Sequence, residues 1–534
     1  MSFREFVEAY NERESRQQML QAKIVTPDQS IRYEHSIASV WPLETLRHGL
    51  IMLNVMSMLD SDGVVERLFT DNLDLVDLPG LPRTMTEFQL AKTELLALSI
   101  ITAERTSSSL FVHRLVQDVA RMRLDTQQFR DTFMCCVRLV ANLWPYESFT
   151  WRHSINRWSI CETLFPHVSK LREIAFQYQL LPSQDDLEGD SMFARLLTDA
   201  GFYQHERGRS AEARWFNDMA EQTCKKWVKQ LVESDPHDEG NLEQIRKLNA
   251  NLSEITHNRG CITLETNADA RGYFKEFNAD MLKEYQASPE LRKTDMRLAI
   301  SWNELGNARM MDMRWQDGLD CYQRSIETMR QLQDFKPIML SLPLCNLGLT
   351  HWLMGNTDAA IEALTRGLKD RQEAFGLNDR ISFITGRFLH ALGNVMATLG
   401  RQEQSLDYHR RALFFYKSTL GNGHHRTADL FVKVAEHSMR MGQYDNALAL
   451  LDHALKAYTD RDAGDYEMAY LPEKARAIYK RSRVLRWQGK LGEADGELEE
   501  AARLREDVLG TKDAPEPESL TDGDFDDLVA FWSR

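Results

Sequence analysis

Residues 348–367 read GLTHWLMGNTDAAIEALTRG, and the spacing of the small residues in this stretch decides the fold. Gly348, Gly355, Ala360 and Gly367 set a pattern that recurs along the second half of the chain, in copies about 42–47 residues apart. A period of this length is typical of solenoid repeats. The further copies are Gly393, Gly400, Ser405 and Ala412, then Ala435, Gly442, Ala447 and Ala454, and then Ser482, Gly489, Ala494 and Ala501.

Each copy predicts a pair of antiparallel helices. The first small residue lies inside the first helix, where glycine costs up to about 1 kcal/mol relative to alanine, so it indicates a neighbouring helix at very close range. The second lies in the turn, where a positive φ favours glycine. The last two are seven residues apart, on one face of the second helix. Two degenerate copies are predicted around Gly201 and Gly260, and a better copy is predicted around Gly306.

Composition narrows the class of protein. The chain has 534 residues, of which 43% are hydrophobic and 27% charged, and its formal net charge is −15. This charge disfavours a general nucleic-acid binder, which needs basic side chains to contact phosphates. Seven scattered cysteines without a CxxC pair predict reduced thiols and no zinc site. With no apparent signal peptide or membrane span, we expect a cytoplasmic protein that has no cofactor and no membrane contact.

The first 125 residues combine helices with a short β-hairpin. The predicted elements are a helix from Trp41 to Leu59, a turn at residues 60–63, a helix from Thr84 to about Ile100, a hairpin of residues 100–103 and 109–112, and a helix that begins at His113. Glu87, three residues after Thr84, suggests a capping box. This order of elements is similar to a winged-helix module.

Four segments are predicted along the chain. Residues 1–125 form the winged-helix-like module, and residues 126–190 form a helical connector. Residues 191–510 hold about seven repeats, and residues 511–534 form an acidic tail.

The repeat pattern resembles the tetratricopeptide repeat. Residues 420–428, LGNGHHRTA, are similar to the long version of this repeat found in kinesin light chains. Residues 374–376 and 508–510 resemble the same helix ending in other copies. The resemblance implies an all-α tetratricopeptide-repeat superhelix whose first helices line a concave groove.

A second resemblance concerns the regions outside the repeats. Residues 59–64 (LDSDGV), 111–119 (FVHRLVQDV) and 525–532 (FDDLVAFW) resemble the corresponding parts of fungal NOD-like STAND proteins. Those proteins carry a nucleotide-binding domain, yet this sequence contains no GxxxxGK[ST] loop to hold phosphates. The chain therefore resembles the sensor half of such a protein without its motor.

The tetratricopeptide resemblance places a set of polar residues in the groove. Their positions are counted from the mid-helix small residue, and they are Asn303, Asn307, Arg387, His390, Asn394, Arg476, Tyr479, Arg483 and Arg486. Asparagine and arginine donors can hold the backbone and acidic side chains of an extended peptide. The alternative is that these residues form only a solvated polar face.

The helix from Lys474 to Lys490 is strongly basic, and the acidic tail follows about 30 residues later. We hypothesise that the tail docks on this helix through Asp524, Asp526, Asp527 and Trp532. Kinesin light chains support the idea by resemblance, since their repeats recognise tryptophan-acidic peptides. An external anionic partner and a disordered tail are the alternatives.

Catalytic motifs are lacking: the sequence has no HExxH and no GxSxG. His424 and His425 are predicted to be structural, Cys135 and Cys136 to lie in a core, and His113 to cap a helix or to pack rather than to bind a metal. We expect no catalytic or metal-binding residues, and a protein-interaction scaffold or ligand-sensing module.

Three other functions are possible. One is an enzyme or accessory factor of a biosynthetic pathway that uses the superhelix cavity for a small molecule. Another is a kinesin-style cargo adaptor, which the absence of a preceding heptad coiled coil disfavours. A winged-helix DNA reader is disfavoured by a weak basic patch.

Overall fold

The computed structural model describes residues 41, 43–104, 106–147, 153–181, 183, 185–235, 237–265, 270–459, 470–510 and 515–534, together with Ser15, Gln18 and Met19. Most of the first 42 residues of the predicted N-terminal module and residues 511–514 of the predicted tail lie outside this part of the chain. The chain divides into two compact units. The first, the N-terminal unit, takes its described residues from Met1–Pro145, Ser159–Ala200 and Gln222–Leu248, and the second, the repeat unit, from Tyr146–Trp158, Gly201–Glu221 and Asn249–Arg534.

The N-terminal unit combines helices with a small antiparallel sheet. Its helices include α1 (Leu50–Met58), α2 (Arg67–Thr70), α3 (Met85–Ala97), α4 (Arg114–Met122), α5 (Thr126–Leu143) and α6 (Trp158–Gln177). Its strands are β1 (Asp62–Val65), β2 (Ile101–Glu104) and β3 (Ser109–Val112), in the spatial order β1-β3-β2.

Local caps explain where two of these helices begin. The hydroxyl of Thr84 accepts a hydrogen bond from the backbone N–H of Glu87 (3.2 Å), and Nδ1 of His113 accepts one from that of Leu115 (3.2 Å). Each bond satisfies a helical N–H that has no partner inside the helix. The predicted hairpin, the helix start at Thr84 and the capping role of His113 are confirmed. Cys135 and Cys136 are buried in α5, as predicted.

Two predictions in this unit were wrong. The helix expected from Trp41 begins only at Leu50, because the Glu94 carboxylate accepts hydrogen bonds from the backbone N–H groups of Arg47, His48 and Gly49 and holds the chain in a non-helical approach. The turn expected at residues 60–63 ends in β1, which pairs with the free edge of β3. Both outcomes depend on groups that lie far away in sequence.

Further helices follow one another along the chain. They are α7 (Leu187–Glu206), α8 (Ser210–Ser234), α9 (Glu239–Glu265), α10 (Arg271–Ala287), α11 (Leu291–Thr294), α12 (Arg297–Met311), α13 (Trp315–Met329), α14 (Ser341–Leu353), α15 (Thr357–Phe375), α16 (Ile384–Thr398), α17 (Gln402–Thr419), α18 (His425–Arg440), α19 (Tyr444–Thr459), α20 (Leu471–Trp487) and α21 (Leu491–Leu509). A short helix, α22 (Asp522–Asp526), follows within the closing segment, which we define as residues 515–534. The predicted all-α class is confirmed.

The small residues act as the pattern predicts. A Cβ atom on Gly393, inside α16, would lie 2.2 Å from the His409 ring on α17, so only glycine permits this approach of the two helices. In the turn of another pair, Gly355 has a φ of 80°, which side chains rarely adopt. Ala360 and Ala412, on second helices, are completely buried. Small residues therefore set the spacing within each helix pair.

Candidate functional site

In each pair of antiparallel helices, the first helix has an equivalent position whose side chain changes in character along the repeat unit. Six residues before the mid-helix small residue the chain has Ile300, Leu342, Arg387, Asp429 and Arg476 in turn. We call the face that carries these positions the first-helix face. It is apolar at its start and charged at its end.

An amide cluster occupies the start of this face. The carboxylate of Glu304, a residue only 8% exposed, accepts hydrogen bonds from Nδ2 of Asn303 (3.0 Å) and of Asn307 (2.8 Å). Nδ2 of Asn346 donates to the side-chain oxygens of both asparagines, at 3.0 and 3.1 Å. Arg387 closes the cluster, because its Nη2 donates to Oδ1 of Asn346 (2.6 Å). Burial raises the pKa of Glu304, although the two amide donors and Arg387 oppose this.

A chain of hydrogen bonds through two buried histidines lies further along. Nε2 of His409 is 3.1 Å from Oδ1 of Asn394, so it donates, and Nδ1 is left to accept from Nε2 of His437 at 3.0 Å. Nδ1 of His437 accepts from Arg440 (3.1 Å), which fixes its tautomer as well. Burial lowers the pKa of His409 to about 3 and of His437 to about 4. Both rings are therefore neutral near pH 7.

Arg476 is the centre of a charged cluster at the end of the face. Its side chain is completely buried, with Nη1 donating to the backbone oxygen of Ser533 (2.6 Å) and Nη2 at 3.3 Å from Oδ1 of Asp429. Oδ1 of Asp526 lies 3.7 Å from Nη1. Although burial disfavours the charge, Asp429 and Asp526 raise the pKa of Arg476. The positive charge of the guanidinium thus lies beside two carboxylates, those of Asp429 and Asp526.

A second basic side chain of α20 is also paired on two sides. Nζ of Lys480 lies 2.9 Å from Oε1 of Glu436 on α18 and 2.8 Å from Oδ1 of Asp522 in the closing segment. Arg483 bonds to the other oxygen of Asp522. Burial disfavours the Lys480 charge, but Glu436, Asp526 and Asp522 raise its pKa overall.

Aromatic side chains of the closing segment contact the same face. The fully buried ring of Phe525 stacks on Tyr479, with centroids 4.3 Å apart and planes at 18°. The Arg387 guanidinium lies 5.4 Å from the ring centroid of Trp532. Asn394 donates from Nδ2 to the backbone oxygen of Arg534 (2.7 Å).

Eight of the nine predicted site residues are thus distributed over three groups. Asn303, Asn307 and Arg387 belong to the amide cluster, His390 and Asn394 lie beside His409, and Arg476, Tyr479 and Arg483 contact the closing segment. Arg486 lies apart: it is exposed and pairs with Asp495 of α21 at 2.5 Å.

The contacts of the tail differ in detail from those expected. Asp524 lies 3.7 Å from Arg505 on α21, and Asp527 pairs with Arg534 (3.0 Å), so these two ion pairs are made outside the basic helix α20. Trp532 contacts Arg387 on α16. Asp522, which the sequence analysis did not name, makes the closest contacts to α20.

Sequence reasoning also missed Asp429, Glu436, Glu304 and Asn346. Asp429 and Glu436 could have been found by counting from Ala435. They stand six residues before it and one residue after it, and the same two offsets from Ser482 select Arg476 and Arg483. Glu304 is adjacent to Asn303, but nothing in the sequence says that it turns inward. Asn346 lies at a position that the counting does not select.

His424 and His425 have the structural roles predicted for them. Nδ1 of His424 accepts from the backbone N–H of Arg426 (3.2 Å) and caps α18, and the His425 ring stacks on Tyr470 at 4.6 Å. Among the described residues, no group of three or more His, Cys, Asp or Glu is arranged to hold a metal ion. No helix in this part of the chain has the length and apolar character that a membrane crossing requires.

Comparison with known families identifies the repeats. Residues 297–373 match a family model of the tetratricopeptide repeat, and residues 385–426 and 474–516 match a second model of the same description. The chain carries tetratricopeptide repeats. Residues 41–129 match a domain of unknown function, DUF7779. No curated protein matches the sequence.

Several solved structures are similar to the chain. A STAND ATPase with a tetratricopeptide-repeat sensor from Pyrococcus horikoshii is 16% identical, with a TM-score of 0.39, over 96% of this chain and 71% of that one. The repeats of a putative kinesin light chain from Podospora anserina are 14% identical (TM-score 0.32), over 40% of this chain and 98% of that one. A Rap protein complexed with competence and sporulation factor is 12% identical (TM-score 0.40), over 60% and 78%. The predicted repeats are confirmed, whereas the fungal NOD-like and winged-helix resemblances stay predictions.

Proposed function

We propose that the first-helix face binds protein or peptide segments, and that the closing segment is an intramolecular occupant of its charged end. Tetratricopeptide repeats generally bind proteins or peptides, and repeat arrays use extended surfaces of this kind. The observation that carries the proposal is the pairing of Arg476 with the backbone oxygen of Ser533 and with Asp429 and Asp526. A buried arginine that takes a backbone oxygen as partner is suited to hold a peptide.

The partner's chemistry follows from the same contacts. Lys480 and Arg483 hold Asp522, while Tyr479 stacks on Phe525 three residues later. An external ligand for this end would therefore carry a carboxylate followed at short spacing by an aromatic side chain. Charge-assisted hydrogen bonds would orient it, and the buried ring would supply most of the affinity.

A competition experiment tests the proposal. A fluorescent peptide of residues 519–534, SLTDGDFDDLVAFWSR, is titrated with the full chain and with a chain that lacks these residues. We expect the deletion to raise the affinity at least 10-fold, because the internal occupant is removed. The matched peptide with Asp522→Asn and Phe525→Ala should bind neither form. If the two chains bound the peptide with equal affinity, the closing segment would not occupy the peptide site.

A second variant guards against misfolding of the shortened chain. The full-length chain with Asp522→Asn and Phe525→Ala keeps every other residue of the closing segment, and it should show the same gain in affinity for the wild-type peptide. Adding Arg476→Met should abolish binding, whereas Arg486→Met should not. Failure of both occupancy variants to bind any peptide would contradict the peptide-binding function itself.

We further propose that the chain is the cytoplasmic sensor part of a NOD-like STAND system, with the nucleotide-binding motor outside these 534 residues. The three quoted segments at 59–64, 111–119 and 525–532 and the missing phosphate loop support this. The chain should then show no saturable binding of fluorescent ATP or ADP. Tight nucleotide binding by these residues alone would contradict the assignment.

A further inference from the structure

A cavity lies next to the amide cluster within the repeat unit. It measures about 800 Å³ with its opening to solvent, and all its lining residues belong to this unit. Its apolar walls include Ile300 and Leu342, the two positions at which the first-helix face is hydrophobic, and Met329, Met339 and Ile384. Methionine side chains adapt to varied shapes, so this wall suits a small apolar body.

Glu304 is the acidic residue in the polar part of the lining. It also lines a neighbouring cavity of about 560 Å³, whose lining includes Arg387 and Trp532. It accepts only amide hydrogen bonds, from Asn303 and Asn307. Among the described residues, no basic side chain lies within ion-pair distance of it.

Three basic side chains that line one or other of the two cavities lie close to other groups. Arg371 donates to Oδ2 of Asp379 from Nε (2.9 Å) and Nη2 (2.5 Å). Nδ1 of His153 lies 3.3 Å from Oε1 of Glu206. Arg387 is held by Asn346 and lies beneath Trp532. Among the described residues, Glu304 therefore has no cation within ion-pair distance, although the charge of Arg387 acts on it from further away.

A buried carboxylate without a cation is unfavourable, and a ligand that supplies the cation removes this cost. We infer that this cavity binds a small apolar amine, whose ammonium group pairs with Glu304 and whose hydrocarbon body lies against Ile300, Leu342 and Met339. The inference is independent of peptide binding at the charged end, because the two sites share no side chain.

A series of three probes of equal length tests the charge preference. The full chain is titrated by calorimetry with n-hexylamine, 1-hexanol and hexanoate. We expect hexylamine to bind at least 10-fold more tightly than hexanol and hexanoate not to bind. Hexanol binding as tightly as the amine would overturn the inference, and so would tightest binding of hexanoate, since Arg387 would then govern the site.

Variants test whether the amine binds in the cavity or at acidic residues on the protein surface. Glu304→Gln should lower the affinity for hexylamine at least 10-fold and leave that for hexanol unchanged, whereas Glu327→Gln, at an exposed position of α13, should change neither. Leu342→Trp places an indole in the cavity and should weaken both ligands, which keeps the test valid if Glu304→Gln does not fold by circular dichroism. Unchanged amine binding by folded Glu304→Gln, or by Leu342→Trp, would contradict the site.

Discussion

The two ends of the first-helix face have the same backbone arrangement and opposite chemistry. At the start, Leu342 and the neutral amides of Asn303 and Asn307 line a cavity beside the carboxylate of Glu304, which has no cation within ion-pair distance among the described residues. At the end, Arg476 stands at the position equivalent to Leu342, and carboxylates from α18 and from the closing segment surround it. The comparison shows that the small residues set only the spacing of the helices. The side chains between them decide whether the first-helix face borders a cavity or is covered by other side chains.

The two ends should also respond differently to mutation. A buried charge that loses its partner costs several kcal/mol, because the remaining charge is left in a low-dielectric environment. A neutral hydrogen bond contributes about 1 kcal/mol, and only an unsatisfied buried group raises the loss. The predictions below run from the largest expected effect to the smallest.

Replacing Arg476 by methionine should strongly destabilise the charged end of the first-helix face. The change leaves Asp429 buried beside Ser533 and Tyr458 without its cation, so we expect a loss of about 3–5 kcal/mol in unfolding free energy. Urea denaturation followed by circular dichroism measures it. Arg486→Met, on the same helix but exposed and paired with Asp495, should cost less than about 1 kcal/mol. Equal losses for the two variants would contradict the buried network.

Acidification should destabilise the region between the two ends. The folded pKa values of His409 and His437 are lowered to about 3 and about 4, below the unfolded value of about 6.5. The unfolded chain therefore binds protons first, and stability is lost as the pH falls from about 6.5 towards these values. Each histidine contributes a slope of up to about 1.4 kcal/mol per pH unit, or about 2–3 kcal/mol between pH 6.5 and 4.5.

The slope can be assigned to one ring by substitution. His409→Gln should reduce the pH dependence of the unfolding free energy by about one proton between pH 6 and 5. His453→Gln, at an exposed position of α19, should leave it unchanged. An unaltered slope in His409→Gln would mean that this ring is not held neutral by its burial.

The amide end should be more tolerant. Asn346→Ala removes donors to the side-chain oxygens of Asn303 and Asn307 and the acceptor of Arg387, so we expect a loss of about 1–3 kcal/mol in the same urea assay. Asn422→Ala, at an exposed loop position, is the control and should be neutral. A loss of unfolding free energy as large as that of Arg476→Met would contradict the expected difference in tolerance between the two ends.

The smallest effect is expected at the partly exposed pair of Arg483 and Asp522. Their side chains are 36% and 43% exposed, so Arg483→Ala should cost less than about 1 kcal/mol in stability. It should nevertheless speed hydrogen exchange in α22, because one of the contacts that hold Asp522 is lost. Unchanged exchange would show that Lys480 alone holds this carboxylate.

Much of the local architecture was predictable from sequence. The turn glycines, the buried alanines of the second helices and the caps at Thr84 and His113 all follow from the conformational limits of single residues. The first-helix positions were predictable by counting, and extending the count to Ala435 would have added Asp429 and Glu436. The closing segment's acidic and aromatic residues were recognised, but their individual partners were not.

The sequence by itself determined the repeat, because glycine and alanine act through backbone geometry and close packing within about 20 residues. Only the tertiary structure decided which charges meet. Asp522 rather than Asp524 reaches Lys480, and Asn346 rather than a counted position joins Asn303 to Arg387. Such contacts join residues that are about 40 positions apart in sequence, so they depend on the path of the whole chain and on how each buried charge is compensated.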